Sequence, residues 1–308
     1  MTYVFIINPA AGKKKNPDEI SKHISDFFEN RPENAEIYFS KAPGDAIDFG
    51  KSYNIPEGEE VCFVACGGDG TFFEIVNGAF GKPGASFSIY PSGSGNDFIK
   101  SAGGDPKDYL DLQKLVDGKT KVFDAIECNG KICSNICNIG IDSVIADRLA
   151  RYKRIPGVSG PMAYNLATAI TLCRGIFGKL STRMKVTFDD GEVFEDDLMF
   201  TVFGNGKVYG GGYYAVPDAS LDDGIIDFCS VSEIGLLRIA KVIGIYKKGE
   251  HVNSPALADV LKMRRCTSAK IESEELFTIS IDGEISKSHT AYIKMIPASL
   301  PFRIPASE

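Results

Sequence analysis

The stretch ACGGDGTFFEIVNGAF, from Ala65 to Phe80, decides the fold of the first half of the chain. The apolar run Val61–Cys66 is typical of a buried strand, and the residues from Phe72 onward begin a helical pattern. The turn Gly67-Gly68-Asp69-Gly70-Thr71 is therefore predicted at the carboxyl end of a parallel strand, where open α/β sheets bind ligands. It lacks the third glycine of a dinucleotide-binding turn and the Gly-Lys-Ser/Thr of a P-loop. A tight turn with an N-capping aspartate explains the motif equally well on its own.

Length, composition and charge narrow the class of protein. The 308 residues suffice for two domains, and 44% apolar with 24% charged residues is typical of a soluble globular protein. The net charge of −7 argues against a nucleic-acid partner and against tight electrostatic attachment to anionic membranes. No secretory signal pattern and no apolar run of roughly 20 residues is found. Eight cysteines without a C-x-x-C pair predict reduced, mostly buried thiols, and we expect a cytoplasmic protein.

Apolar runs alternate with helical patterns up to Phe123. Predicted strands are Tyr3–Ile7, Ala35–Phe39, Val61–Cys66 and Ser86–Tyr90, and predicted helices are Pro17–Glu29, capped by Asn16, and Ala46–Tyr53. This alternation predicts a doubly wound parallel α/β domain over residues 1–124.

Residues 125–289 have a different pattern, which predicts a largely antiparallel β domain. Its β-like runs are Met184–Phe188, Leu198–Phe203, Ile225–Val231, Ala269–Glu272 and Phe277–Ile281. Asp-Gly turns are predicted at Asp190-Gly191, Asp223-Gly224 and Asp282-Gly283. Two or three helical insertions are predicted, including Pro161–Gly175 and Glu233–Lys247.

Two further small-residue loops are predicted at the same edge of the parallel sheet. Asn8-Pro9-Ala10-Ala11-Gly12 closes the first strand, and Ser92-Gly93-Ser94-Gly95-Asn96-Asp97 follows the fourth. Three such loops would line a crevice with backbone N–H groups that suit an anion. Asp69 and Asp97 would repel phosphate, so their presence favours a magnesium ion between them and a polyphosphate.

Four motifs in this order resemble the bacterial diacylglycerol kinase-like lipid kinases, which share a catalytic domain with eukaryotic diacylglycerol, sphingosine and ceramide kinases. The motifs are Asn8-Pro9…Gly12, Gly67–Thr71, Gly93–Asp97 and Asp282-Gly283-Glu284. GGDGT alone is shared with NAD kinases and, loosely, with 6-phosphofructokinases. The resemblance implies an N-terminal domain of that α/β type, a C-terminal β-sandwich, and an active site in the cleft between them.

The resemblance also implies residue roles. ATP would be bound by Asn8, Pro9, Ala10, Ala11, Gly12, Ser40, Gly67, Gly68, Asp69, Gly70, Thr71 and Ser94. The catalytic residues would be Asp69, Asp97 and Asp124, which form a water-mediated magnesium network, and Glu284, the general base. A separate structural magnesium would be held by the Asp223 carboxylate and the carbonyls of Ser220 and Ile225. From the residues alone, Asp124 is better explained as a strand-end turn residue, and the Asp-Gly pairs as hairpin turns.

The expected activity is transfer of the γ-phosphoryl group of ATP to a membrane lipid such as diacylglycerol, which gives phosphatidic acid. We expect transient contact with the inner face of the membrane, and a homodimer is compatible with the sequence. Residues 290–308 would return to complete the first domain. The apolar stretch 157–178 favours a core helix over a membrane contact. Two alternatives stay open: an NAD kinase, which the Asn-Pro and GSGND loops disfavour, and a non-catalytic binder, which the four carboxylates disfavour.

Overall fold

The computed structural model describes residues 1–10, 16–93, 95–152 and 179–307, and the chain forms two compact units. The first unit consists of Met1–Ala125, Leu221–Gly224 and Ile296–Glu308. The second consists of Ile126–Ser220 and Ile225–Met295.

Strands and helices are numbered here in chain order. The strands are β1 (Thr2–Ile7), β2 (Asn34–Phe39), β3 (Val61–Gly67), β4 (Ala85–Pro91), β5 (Lys119–Cys128), β6 (Lys131–Cys133), β7 (Ile136–Gly140), β8 (Thr182–Phe188), β9 (Val193–Gly204), β10 (Val208–Tyr209), β11 (Tyr213–Tyr214), β12 (Ile226–Ser232), β13 (Leu261–Cys266), β14 (Ser268–Ile281) and β15 (Glu284–Ile304). The helices are α1 (Pro17–Phe28), α2 (Asp45–Ser52), α3 (Asp69–Ala79), α4 (Asp97–Ala102), α5 (Leu112–Asp117), α6 (Ile141–Tyr152) and α7 (Leu236–Lys247). Short 3₁₀ helices lie at Asp108–Leu110 and Glu250–Asn253.

The first unit contains a parallel sheet in the order β2–β1–β3–β4. The four predicted strands and two predicted helices of this region are confirmed, with ends shifted by one residue. Phe302 of β15 pairs with Phe87 of β4, also in parallel, and is fully buried. The pairing of Ile7 with Cys66 and of Gly67 with Pro91 aligns the carboxyl ends of β1, β3 and β4.

Helix α1 shows how the sequence determines this unit. The Asn16 side chain accepts a hydrogen bond from the Asp18 N–H at 3.1 Å, and Pro17 occupies the first turn, as predicted. Ile20, Ile24 and Phe28 are buried on one face, where each contributes roughly 1.5–3 kcal/mol of hydrophobic stabilisation.

The second unit is built from antiparallel pairs, in the order β13–β12–β9–β7–β14–β15. Strand β8 pairs with both β9 and β14. The predicted runs Ala269–Glu272 and Phe277–Ile281 are two parts of β14, with a register shift between Glu272 and Phe277. Helix α7 begins at Leu236, three residues later than predicted. The predicted helix Pro161–Gly175 lies outside the described residues.

Two of the three predicted Asp-Gly hairpin turns are confirmed. Asp190-Gly191 joins β8 to β9, and Asp282-Gly283 joins β14 to β15. The prediction at Asp223-Gly224 was wrong, because these residues precede β12, which pairs with β9 and β13. They lie in the first unit, where the Gly224 N–H donates to Oδ2 of Asp124 at 2.7 Å.

The seven cysteines in the described part of the chain are buried free thiols, as predicted. Among them, Sγ of Cys137 lies 3.6 Å from Sγ of Cys128. Desolvation raises the thiol pKa of Cys133 well above its usual value, and the pKa of Cys137 is raised by its bond with Cys128 and by burial. Within the described residues, no helix combines the length and apolar character needed to cross a membrane.

Candidate active site

The predicted glycine loops of the first unit meet at the carboxyl ends of β3 and β4. The N–H groups of Ser92 and Gly93 both donate to the Gly67 carbonyl, at 2.9 and 3.1 Å. A Cβ added to Gly93 would lie 2.5 Å from the Gly68 Cα, so only glycine allows this approach. The two loops are thus packed backbone against backbone.

The first loop is attached to the GGDGT turn through two side chains. Nδ2 of Asn8 donates to Oγ1 of Thr71 at 3.1 Å, while Oδ1 of Asn8 accepts the Ala10 N–H at 2.9 Å. Thr71 is buried and packs against Gly67, where an added Cβ would lie 2.2 Å from the threonine Oγ1. Asn8 therefore fixes the start of its own loop relative to α3. Ala11, Gly12 and Ser94 lie outside the described residues.

Asp69 and Asp97 are brought together as predicted. Oδ1 of Asp69 accepts the Asp97 N–H at 2.8 Å, which satisfies an N–H of the first turn of α4. A Cβ added to Gly95 would lie 2.6 Å from Oδ2 of Asp69 and 3.6 Å from Oδ2 of Asp97. The two carboxylates therefore border the same small space, which Gly95 leaves open.

Lys100 is a cation at this site that the sequence did not single out. Its Nζ lies 2.6 Å from Oδ1 of Asp97, one turn along α4. Asp97 is buried, and a buried carboxylate is stabilised by a paired cation. The signal in the sequence was only the Asp-x-x-Lys spacing, which is common on helix surfaces.

Asn96 holds the turn between β4 and α4. It adopts the left-handed conformation, with φ of 48°, and its Nδ2 donates to the Gly93 carbonyl at 3.2 Å. Its Oδ1 is buried and has no hydrogen-bond partner in the described part of the chain. A buried acceptor without a partner costs free energy, so this atom suits a donor from water or a ligand.

Glu74 is a second charged side chain near these loops that the sequence did not single out. It lies in α3, and its two carboxylate oxygens accept the N–H groups of Gly44 and Ala46 at 2.8 and 3.3 Å. These two bonds satisfy N–H groups at the start of α2, which begins a few residues after Ser40. The Ser40 N–H itself donates to the Ile7 carbonyl at 2.9 Å, which places Ser40 beside the end of β1.

Asp124 is buried and accepts two backbone N–H groups. Its Oδ1 bonds the Ala298 N–H and its Oδ2 the Gly224 N–H, both at 2.7 Å, while its own N–H donates to the Leu221 carbonyl. It therefore connects three separate segments of the first unit. The structure shows this bracing role, and its place in a magnesium network stays a prediction.

The residues proposed to hold magnesium differ in how well their surroundings suit the ion. In the part of the chain that the structure describes, no three His, Cys, Asp or Glu side chains converge on a point that could hold a metal directly. Asp69 and Asp97 present carboxylate oxygens, which Mg²⁺ prefers, to one space, and this suits an ion held partly by water. Asp223 is exposed in a loop, and a site formed with the Ser220 and Ile225 carbonyls stays a prediction.

Asp282 positions the hairpin that carries Glu284. Oδ1 of Asp282 accepts the N–H groups of Asn135 and Ile136 at 3.0 and 2.9 Å, and Oδ2 accepts the Ser134 N–H at 2.6 Å and its hydroxyl at 2.8 Å. Burial raises the pKa of this carboxyl, and these hydrogen bonds oppose the rise. The sequence predicted only a turn here, since its anchoring to residues 134–136 is non-local. Glu284 follows as the exposed first residue of β15.

A polar cluster that the sequence did not indicate lies in the second unit. The Tyr209 hydroxyl donates to Oδ2 of Asp142 and lies 3.1 Å from the Tyr246 hydroxyl, and the Tyr246 ring lies 4.7 Å from the buried His251 ring. Desolvation raises the pKa of Asp142 to about 6, although the Tyr209 bond lowers it. Burial lowers the pKa of His251.

Comparison with known proteins identifies the class to which this fold and site belong. The model of the family described as "Diacylglycerol kinase catalytic domain" matches residues 2–128, and that of the "YegS C-terminal NAD kinase beta sandwich-like domain" matches residues 135–303. The chain thus combines an α/β kinase catalytic domain with a β-sandwich-like domain, which confirms the predicted fold class. It belongs to the diacylglycerol kinase-like lipid kinase family.

Curated relatives and solved structures agree with this assignment. A diacylglycerol kinase of Bacillus subtilis (strain 168) is 25% identical over 287 residues, which cover 91% of this chain and 88% of the relative. A diacylglycerol kinase of Staphylococcus carnosus (strain TM300) is 27% identical over 287 residues, covering 91% and 87%. The structure of a diacylglycerol kinase from Bacillus anthracis (strain Sterne) is 20% identical, with coverages of 98% and 96% and a TM-score of 0.68, and at that identity it shows the fold alone.

Proposed function

We propose that the protein is an ATP- and magnesium-dependent lipid kinase that phosphorylates the hydroxyl of a lipid such as diacylglycerol, giving phosphatidic acid. The observation that carries the proposal is the pairing of Asp69 with Asp97 between two glycine loops, in a chain of this kinase family. Phosphoryl transfer depends mainly on positioning and charge stabilisation, and these loops offer backbone donors beside two carboxylates.

The chain's own residues would bind and orient the phosphates. Gly68 and Gly93 let the two loops pack closely, and Gly67 leaves room for Thr71. Backbone N–H groups of these loops and of Gly70 would bind the phosphates. Thr71, held by Asn8, fixes the turn that opens α3. The orphaned Oδ1 of Asn96 would accept a hydrogen bond from bound water or from the ligand.

Asp69 and Asp97 would hold magnesium in the space beside Gly95, at least partly through water. Bound there, the ion would neutralise phosphate charge that the two carboxylates would otherwise repel. Lys100 would hold the Asp97 carboxylate in position through its 2.6 Å contact. Asp124 would complete the network through water while it braces its three segments.

Glu284 is proposed as the general base that accepts the proton of the lipid hydroxyl, because the DGE turn matches the family motif. A structural magnesium at Asp223, with the carbonyls of Ser220 and Ile225, is proposed on the same ground. Thermal unfolding with and without magnesium tests this second site. Equal stabilisation of the wild type and Asp223→Ala by the ion would exclude it.

A panel of acceptors tests the proposed function. Purified protein is incubated with labelled ATP and magnesium, and with diacylglycerol, ceramide, sphingosine or NAD in separate reactions. We expect label in the organic phase with a lipid alcohol, and loss of that label when magnesium is chelated. Label on NAD alone would establish the alternative NAD kinase activity, and no transfer to any acceptor would favour a non-catalytic binder.

A further inference from the structure

Helix α7 of the second unit exposes two large apolar side chains. Leu237 is 83% exposed and Ile243 is 44% exposed, whereas Val242 and Tyr246 on the opposite side are buried. The two exposed side chains are six residues apart, which places them about 120° apart around the helix axis, within its exposed side. This face is therefore a candidate for an interaction.

The charge of α7 differs from that of the whole chain. Residues 236–248 contain four basic residues and no Asp or Glu, in a chain with a net charge of −7. Arg238 is paired with Asp259, and Lys248 lies 4.0 Å from Glu250. Lys241 is exposed, and Nζ of Lys247 lies 5.4 Å from the centroid of the Tyr213 ring.

Apolar and basic residues share the exposed side of the helix. Leu237, Lys241, Gly244 and Lys248 are spaced by four, three and four residues, so they lie in one row, and all are exposed. Tyr214, in the strand next to α7, is 41% exposed. An exposed leucine followed by lysines on one side of a helix, with an exposed tyrosine nearby, matches the mixture of apolar and basic residues in helices that lie in a membrane interface.

We propose that the exposed face of α7, with Leu237 at its start, Lys241 one turn further on and Lys247 at its end, docks on an anionic lipid surface. The choice of a lipid surface rests on the proposed function, since the acceptor resides in a membrane. Leu237 inserts among the acyl chains, and the lysines bind lipid phosphates at the headgroup level. A second copy of the chain fits less well, because a symmetric contact would bring lysines close to lysines.

Vesicle sedimentation with the full-length protein tests the proposal. The probes are vesicles of phosphatidylcholine with about a third phosphatidylglycerol, and vesicles of phosphatidylcholine alone. We expect wild-type protein to bind the anionic vesicles more tightly, and Leu237→Gln to weaken that binding roughly tenfold. The double variant Lys241→Gln, Lys247→Gln should weaken it by about tenfold or more, and added salt should reduce the difference.

The matched control variants carry the same types of substitution at exposed positions outside α7. Leu276→Gln removes an exposed leucine of β14, and Lys22→Gln with Lys51→Gln removes two exposed lysines of α1 and α2. These controls should bind vesicles as the wild type does. Phosphorylation of a dispersed short-chain diacylglycerol should be unchanged in every variant.

The outcomes separate docking from catalysis. If the wild type fails to bind anionic vesicles, or the α7 variants bind as well as the controls, the docking proposal is overturned, whatever the kinase activity. A change from dimer to monomer on substitution of Leu237, with vesicle binding intact, would make the face a self-contact and also overturn it. Vesicle binding that depends on α7, in a protein that phosphorylates no lipid, would support docking and contradict the proposed function.

Discussion

Asp69 accepts a hydrogen bond from the backbone N–H of Asp97, with Oδ1 and N 2.8 Å apart. One carboxylate thereby satisfies the start of the helix that carries the other, across 28 residues of sequence. The bond fixes two loops that follow neighbouring parallel strands, and it leaves Oδ2 of each aspartate beside Gly95. The carboxylate pair is therefore set by the fold before any ligand binds.

Gly93→Ala should disrupt this arrangement. The new Cβ would lie 2.5 Å from the Gly68 Cα, and backbone on both sides cannot yield cheaply. We expect a loss of about 1–3 kcal/mol in the free energy of unfolding, and weaker nucleotide binding. Denaturant unfolding measures the change in stability, and calorimetry measures nucleotide binding. Gly244→Ala, where the added Cβ meets nothing within 4 Å, is the control and should not lower stability. Equal effects of the two substitutions would contradict the packing argument.

Asp282→Ala should destabilise the second unit. It would leave the N–H groups of residues 134–136 without their carboxylate acceptor, at a cost of at least about 2 kcal/mol. Asp190→Ala changes the other Asp-Gly hairpin, whose aspartate pairs with Arg264 at the surface, and should cost less than about 1 kcal/mol. Comparable midpoints of urea unfolding for the two variants would show that the Asp282 bonds contribute little.

Asp142 should make stability depend on pH between about 4 and 6. Its pKa rises from the ordinary value of 3.8 to about 6 in the folded protein, so the folded state binds the proton more tightly. Its contribution to stability is greatest below the lower value and is lost as pH rises to the higher one. Each unit of pKa difference corresponds to about 1.4 kcal/mol.

Comparison with Asp142→Asn isolates this contribution. The stability of the wild type minus that of the variant should fall as pH rises from about 4 to about 6, and stay constant above. The pKa values of Tyr209 and Tyr246 are raised well above their usual range, so both stay neutral throughout. His251 is present in both proteins and cancels in the difference. If this difference in stability does not change with pH, the Asp142 carboxyl is solvated in the folded protein and the prediction is wrong.

Glu284→Gln should separate binding from turnover. Glutamine keeps the shape of the side chain but cannot accept a proton, so ATP affinity should stay near that of the wild type. Loss of a general base typically lowers turnover by about 10²–10⁴-fold. Calorimetry measures the ATP affinity of the variant, and a kinase assay measures its turnover on the best lipid. If turnover survives, or ATP binding is lost with it, the base is another residue.

The sequence predicted much of the fold because the signals there are local. Runs such as Val61–Cys66 and the Asn16-Pro17 cap determine elements through burial and hydrogen bonds within a few residues. The proximity of Asp69 and Asp97 could also be predicted from the sequence, since neighbouring parallel strands end at the same edge of a sheet. The small residues of the loops predicted a crevice lined with backbone N–H groups, although not that Gly68 and Gly93 pack against each other.

The features that the sequence missed depend on distant segments. Asp223-Gly224 has the composition of a hairpin turn, yet Asp124, about 100 residues earlier, holds it in the first unit. Asp282 likewise bonds residues 146–148 positions earlier, and no local pattern encodes that. Glu74 looked like an ordinary helix-surface charge, and only tertiary structure shows that it bonds the N–H groups of Gly44 and Ala46.

Transfer of label from γ-labelled ATP to diacylglycerol, by the wild type and by Asp69→Asn, tests the central claim most directly. Asparagine still offers an oxygen to the Asp97 N–H, so thermal unfolding should be nearly unchanged, while the negative charge that we propose to hold magnesium is removed. Asp26→Asn, an exposed change in α1, is the control and should retain full activity. We expect magnesium-dependent labelling of the lipid by the wild type and the control, and a loss of about 10²-fold or more in Asp69→Asn. Undiminished labelling by a folded Asp69→Asn protein would contradict the account.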